Sequence, residues 1–112
     1  MSTADNGCSL DEQDGFQIVA VAGEVDLSWS GQVRRAILDA LGSSDRVLVK
    51  MSDVSYIDSS GIAALVEGYQ TAKAKSATFG LLEVSAPVRA VLELARLDQV
   101  FPIHDSVADA AG

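Results

Sequence analysis

Asp58-Ser59-Ser60-Gly61 is the segment whose residue types and spacing could do chemistry. A carboxylate, two hydroxyls and a glycine directly precede an apolar stripe. Asp58 or Ser59 can cap a helix there by accepting hydrogen bonds from the orphan N–H groups of its first turn. Capping needs one such residue, and two serines plus a glycine leave the backbone more open than a cap requires. A hydroxyl at this place is a candidate phosphate acceptor, because free N–H groups and the positive end of the helix dipole favour an added anion. Upstream, Gly23-Glu24-Val25-Asp26 closes a predicted strand with two more carboxylates. Taken alone, Glu24 and Asp26 are solvated strand-end groups, with Asp26 assisting the cap of the next helix. Brought to the same end of a sheet as Ser59, they form an acidic rim. A phosphate of about −1.5 to −2 charge at pH 7 would then make a negative face more negative, changing binding more than structure.

Other chemistries find little support. No G-x-x-x-x-G-K-[ST] phosphate loop, G-x-G-x-x-G dinucleotide turn or G-x-S-x-G nucleophile elbow occurs. His104 is the single histidine and Cys8 the single cysteine, too few for a zinc site. A hydrolase built on Ser59 and His104 is conceivable, but nothing specifies an oxyanion hole. His104 reads as a strand-end surface residue, and Cys8 receives no role. Trp29, the single tryptophan, reads equally as core or interface.

These residues need elements to position them. Cys8–Gln13 reads as an edge strand and Asp14-Gly15 as a hairpin turn. Phe16–Ala22 follows as a buried strand, rich in β-branched residues. Ser28 or Ser30 can cap a first helix with an apolar face of Val33, Ala36, Ile37, Ala40 and Leu41, ended by Gly42. Arg46–Met51 is a second firm strand, and Ser52–Asp58 reads as a polar connection. The helix starting within Asp58–Gly61 carries the stripe Ile62, Leu65, Val66, Tyr69. Thr78–Val84 is a third core strand, and Ser85-Ala86-Pro87 starts a helix burying Val88, Val91, Leu92 and Ala95. Val100–His104 makes a last strand, and Asp105 caps a terminal helix over residues 106–111. The order β-β-α-β-α-β-α-β-α predicts an α/β domain with right-handed crossovers and a largely parallel sheet.

The whole chain of 112 residues fits one domain, with residues 1–7 as a flexible tail and 8–112 as the folded part. Eight Lys+Arg against sixteen Asp+Glu give a net charge of −8. That balance disfavours nucleic acid and anionic membrane surfaces, whose binding rests on Lys and Arg. No stretch approaches the ~20 apolar residues of a membrane span, and the first fifteen residues, without Lys or Arg, do not read as a secretory signal. One cysteine forms no internal disulfide, which suits a reducing compartment. The expectation is a cytoplasmic, non-enzymatic domain that takes neutral or basic protein partners.

Gly23-Glu24-Val25-Asp26, the strand Val47-Leu48-Val49, Tyr56-Ile57-Asp58-Ser59-Ser60-Gly61-Ile62, and Val88–Leu94 through Val100–Ile103 together resemble the bacterial anti-sigma factor antagonists, the single-domain form of the STAS fold. The resemblance runs from about Cys8 to Ala111. It implies a mixed, mostly parallel sheet of about four or five strands flanked by about four α-helices. It also implies partner switching: the unphosphorylated protein binds an anti-sigma factor that is also an ATP-dependent serine kinase, and so frees a sigma factor. The kinase modifies the serine after the aspartate, Ser59 here, and a serine phosphatase reverses it. Glu24, Asp26, Asp58, Ser59, Ser60 and Gly61 would make the partner-facing surface of a monomer or weak dimer. No cofactor and no metal are implied. Two alternatives remain within the resemblance: a subunit of a lipid-transport ABC system, whose members more often lack Asp-Ser-Ser-Gly, or a partner-switching regulator of secretion, motility or biofilm formation.

Overall fold

The computed structural model describes residues 7–111. Of the predicted tail, residues 1–6 lie outside that range, whereas Gly7 is the first residue of β1 (Gly7–Gln13). β2 is Phe16–Val25 and pairs antiparallel with β1. Asp14 (φ 52°) and Gly15 (φ 84°) both sit in the left-handed region that a two-residue hairpin turn requires.

α1 (Ser30–Ser43) follows, then β3 (Arg46–Ile57), α2 (Ser59–Ala74), β4 (Thr78–Leu82), α3 (Ala86–Leu94), a 3-10 turn at Leu97–Gln99, β5 (Ile103–His104) and α4 (Val107–Ala111). The sheet order is β1-β2-β3-β4-β5, with every pair after the hairpin parallel. This is the predicted α/β architecture with the predicted order of elements.

The helices are unevenly shared between the sheet's faces. On one face α1, α2 and α3 enclose the main core, where Val19, Val21, Val47, Val49, Leu81, Ile37, Leu65, Val88 and Leu92 are buried. The other face is covered over Phe16, Ile18, Leu48 and Leu82 by Val107 of the short α4.

Several boundaries depart from the predicted ones. β3 does not end at Met51 but runs through Ser52–Ile57, the stretch that reads as a polar connection. β2 likewise continues to Val25 and pairs with it. Register shifts between Ala20 and Ala22 and between Gly23 and Glu24 explain why the signal is hidden. The extra residue of each bulge stretches the inward spacing in β3 to Met51, Val54, Ile57, which matches neither a period of two nor a helix. Gly23 sits at φ 93°, a conformation that favours glycine at this bulge.

The apolar face of α2 is also rotated from the predicted stripe. Gly61, Ala64, Leu65, Gly68 and Ala72 are buried, while Ile62, Val66 and Tyr69 flank the core half-buried. Small residues bring α2 close: a Cβ on Gly68 would stand 2.6 Å from Ile37 Cγ2. Gly42 lies inside α1, which ends at Ser43 with an extended Ser44. Neither Ser28 nor Ser30 caps α1; its N-cap position is Trp29, without a side-chain cap bond. β4 stops at Leu82, β5 is only Ile103–His104, and in α3 Val88 and Leu92 are buried while Ala95 is exposed. In the last helix Ser106 Oγ, not Asp105, accepts the Asp109 N–H.

Candidate functional site

The carboxyl ends of the parallel strands β2 and β3 lie side by side, with Glu24 paired to Tyr56 and Val25 to Ile57. Each strand then breaks into a turn held by an aspartate. After β2, Asp26 Oδ1 accepts the Ser28 N–H (3.0 Å) and the Ser28 hydroxyl (2.5 Å). The Asp26 carbonyl accepts the N–H groups of Trp29 (3.2 Å) and Ser30 (2.8 Å), starting α1. After β3, Asp58 Oδ1 accepts the Ser60 N–H (2.9 Å), the Gly61 N–H (3.2 Å) and the Ser60 hydroxyl (2.5 Å). Asp26-Leu27-Ser28 and Asp58-Ser59-Ser60 are thus two copies of one knot, an aspartate gripping the serine two residues on. The knots are joined through the Asp58 N–H, which donates to the Val25 carbonyl (3.0 Å).

Within this frame the two serines are unlike. Ser60 is half-buried with its hydroxyl committed to Asp58. Ser59, the first residue of α2, is exposed, and its hydroxyl has no hydrogen-bond partner among the described residues. The helix start is less open to an anion than the sequence suggests. Of its first three N–H groups, those of Ser60 and Gly61 are already taken by the Asp58 carboxylate. The Ile62 N–H binds the Asp58 carbonyl (3.0 Å). A phosphate on Ser59 would therefore meet an ionised carboxylate next to it rather than a set of free N–H groups.

Asp58 stays ionised because of these bonds. The Ser60 hydroxyl above all, helped by the N–H groups of Gly61 and Ser60, holds its carboxyl below the ordinary aspartate value, against the opposing effect of burial. Gly61 is buried, and a Cβ there would stand 2.6 Å from Ile57 Cγ1 and 2.7 Å from Val25 Cγ1. Glycine thus lets the first turn of α2 sit directly on the ends of β2 and β3.

The structure brings Asp26, Asp58, Ser59, Ser60 and Gly61 to one end of the sheet, with Glu24 exposed at the end of β2. Three features escape a reading of the sequence. Trp29 is 6% exposed and its indole N–H donates to the Glu24 carbonyl, so it belongs to the core and pins the β2 end. Ser28 serves Asp26 rather than α1. Leu27 and Tyr56 stand out as exposed apolar groups beside the knots. The repeated Asp-x-Ser spacing is the one sequence signal that could have revealed the first knot.

His104 lies with Gly80 on the face covered by α4, since a Cβ on Gly80 would meet His104 Cδ2 at 3.2 Å and Gly80 is in register with the buried Leu48. Ser59 begins a helix packed on the other face. The sheet separates them, which removes the geometry of a Ser59–His104 hydrolase. Cys8 is half-buried, and burial pushes its thiol above the ordinary value, away from reactivity. Among the described residues no helix is long and apolar enough to cross a membrane.

Residues 8–110 match the family model of the STAS domain, and the chain belongs to that family. A curated relative, the anti-sigma F factor antagonist of Paenibacillus polymyxa, is 24% identical over 103 residues, covering 90% of this chain and 88% of its own. Among solved structures, an anti-sigma factor antagonist from Mycobacterium paratuberculosis superposes with a TM-score of 0.84 at 24% identity, covering 98% of this chain and 94% of that one. The Bacillus cell fate determinant SpoIIAA, solved in its phosphorylated form, superposes with a TM-score of 0.71 at 20% identity over 94% of this chain and 96% of its own.

Proposed function

We propose that this protein is an anti-sigma factor antagonist that works by partner switching in the cytoplasm. In its unphosphorylated form it binds an anti-sigma factor that is also an ATP-dependent serine kinase, and the sigma factor is released. Phosphorylation of Ser59 abolishes that binding, and a serine phosphatase restores it. The chain is then a substrate and competitor, not a catalyst.

The observation that carries this reading is the division of labour between adjacent serines. Ser60 is locked to Asp58, while Ser59 presents an exposed, unbonded hydroxyl on a helix start whose geometry is held from both sides. A kinase needs an accessible hydroxyl on a defined backbone, and Ser59 supplies it. Modification there adds charge beside Asp58 and near Glu24 and Asp26, at the centre of the surface a partner would cover. Binding falls through repulsion and desolvation of the added charge, with little rearrangement of the fold.

The test is incubation of the purified chain with its cognate anti-sigma kinase and ATP. One phosphate by intact mass is expected, lost in Ser59→Ala and retained in Ser60→Ala. Ser59→Asp is expected to lose kinase binding. Phosphorylation that persists in Ser59→Ala would show that the acceptor is another residue.

A further inference from the structure

We propose that Leu27, assisted by Tyr56, is the apolar anchor with which this chain docks on its kinase partner, entering an apolar pocket rimmed by lysine or arginine. The inference rests on the reading of Ser59 as the acceptor and adds what supplies the affinity.

Leu27 is 80% exposed and Tyr56 50% exposed. Single exposed apolar residues are common and by themselves mean nothing. Leu27 differs in how its backbone is held. On one side Asp26 grips Ser28 through both its N–H and its hydroxyl. On the other side the carbonyl of Val25 accepts the Asp58 N–H (3.0 Å), tying the end of β2 to the end of β3. Two residues beyond Leu27, Trp29 is buried and tied to the Glu24 carbonyl. A leucine thrust into water on a backbone fastened at every neighbouring residue loses little freedom on binding, which is the property of a preorganised anchor rather than of a loose loop tip.

Its place is equally specific. Asp58, immediately before Ser59, donates its N–H to the Val25 carbonyl, so the turn that carries Leu27 and the helix start that carries Ser59 are joined by a backbone hydrogen bond. Tyr56 lies two residues before Asp58 and opposite Glu24 on the neighbouring strand. Asp26 precedes Leu27 directly, Asp58 is bonded to the end of the same strand, and Glu24 is paired with Tyr56, so the exposed apolar groups stand among carboxylates in a chain of net charge −8. Interfaces of this make-up draw their binding energy from the central apolar groups and their selectivity from the charged border. The complementary surface on the kinase is an apolar pocket with a basic rim. Ser59 directly follows Asp58, so a phosphate there would add charge next to the joined turn that carries Leu27.

Leu94, 88% exposed at the last residue of α3, supplies the internal control. α3 connects the parallel strands β4 and β5, so it returns toward the opposite end of the sheet and carries Leu94 away from Ser59.

The experiment is titration calorimetry of the purified anti-sigma kinase that phosphorylates Ser59 against wild type, Leu27→Ser, Leu27→Met, Tyr56→Ala, Leu94→Ser and Ser59→Asp. Thermal melts of each variant accompany it. Leu27→Ser is expected to weaken binding by about ten- to hundredfold, the worth of burying one leucine. Leu27→Met is expected to keep binding within about threefold, because it preserves apolar volume. Leu94→Ser is expected to bind within about twofold of wild type. Melting temperatures stay near wild type for Leu27→Ser, since the replaced side chain is exposed. Leu27→Ser binding within about twofold of wild type, while Ser59→Asp fails to bind, would sink the anchor and leave the switch intact. Equal damage from Leu94→Ser would also overturn it. A wild-type chain that is neither bound nor phosphorylated removes the functional reading itself, and the anchor with it.

Discussion

Gly61→Ala puts the joint between α2 and the strand ends under direct strain. The added methyl would stand 2.6 Å from Ile57 Cγ1 and 2.7 Å from Val25 Cγ1, roughly 1 Å inside the optimum for carbon contacts. Neither neighbour yields easily: Ile57 and Val25 are 4% and 1% exposed and belong to the main core, and β-branched side chains have few χ1 alternatives. The first turn of α2 must lift instead. Overpacking of this kind costs about 1–3 kcal/mol, and the better helix propensity of alanine returns at most ~1 kcal/mol. A net loss of about 1–2 kcal/mol corresponds to a fall in Tm of roughly 5–10 °C for a domain of this size. Differential scanning calorimetry reads the Tm, and the rate of Ser59 phosphorylation reads the displaced helix start. Both are expected to fall. A Tm at or above wild type would refute the tight seating of α2 on Val25 and Ile57.

The remaining predictions follow from the same contacts. Gly68→Ala meets Ile37 Cγ2 at 2.6 Å and Phe79 Cε1 at 3.1 Å, so a similar Tm loss is expected, but with Ser59 phosphorylation unchanged because the clash is away from the knots. Gly42→Ala enters open space inside α1 and is expected to raise stability by about 0.5–1 kcal/mol in urea denaturation. Asp58 has a folded value below its unfolded one, so its charge contributes stability that is fully present above about pH 4 and is lost as pH falls through the folded value. The Tm gap between wild type and Asp58→Asn is accordingly expected to be widest near neutral pH and to close on acidification. Ser60→Ala removes the foremost cause of that lowering, so carbon-detected NMR titration should show the Asp58 value rising toward the ordinary aspartate range.

Much of this architecture is legible in the sequence because local and global signals agree. Asp14-Gly15 has the residue types a two-residue hairpin needs, and both adopt the required positive φ. The i, i+3, i+4 stripe of α1 is buried as spaced at Val33, Ile37, Ala40 and Leu41. Asp58 before two serines marks the start of α2, and the cap bonds form there. Other parts are hidden for physical reasons. Bulges in β2–β3 break the period of two, so Ser52–Ile57 looks like a loop although it is the strand that carries the site. In α2 the buried positions include Gly61, Ala64, Gly68 and Ala72, whose value lies in close approach rather than hydrophobicity. The stripe of larger residues therefore lies along the edge of the buried face, with only Leu65 fully buried. The roles of Ser28 and Trp29 are hidden because their bonds, to Asp26 and to the Glu24 carbonyl, are local and belong to no helix or strand period.

The switch itself is tested most directly by one measurement: affinity for the anti-sigma kinase of the same preparation before and after stoichiometric phosphorylation, with the site mapped by mass spectrometry. The expected result is a single phosphate on Ser59, loss of measurable binding, and recovery of the original affinity after treatment with a serine phosphatase. Unchanged affinity with Ser59 fully phosphorylated would contradict the proposed function.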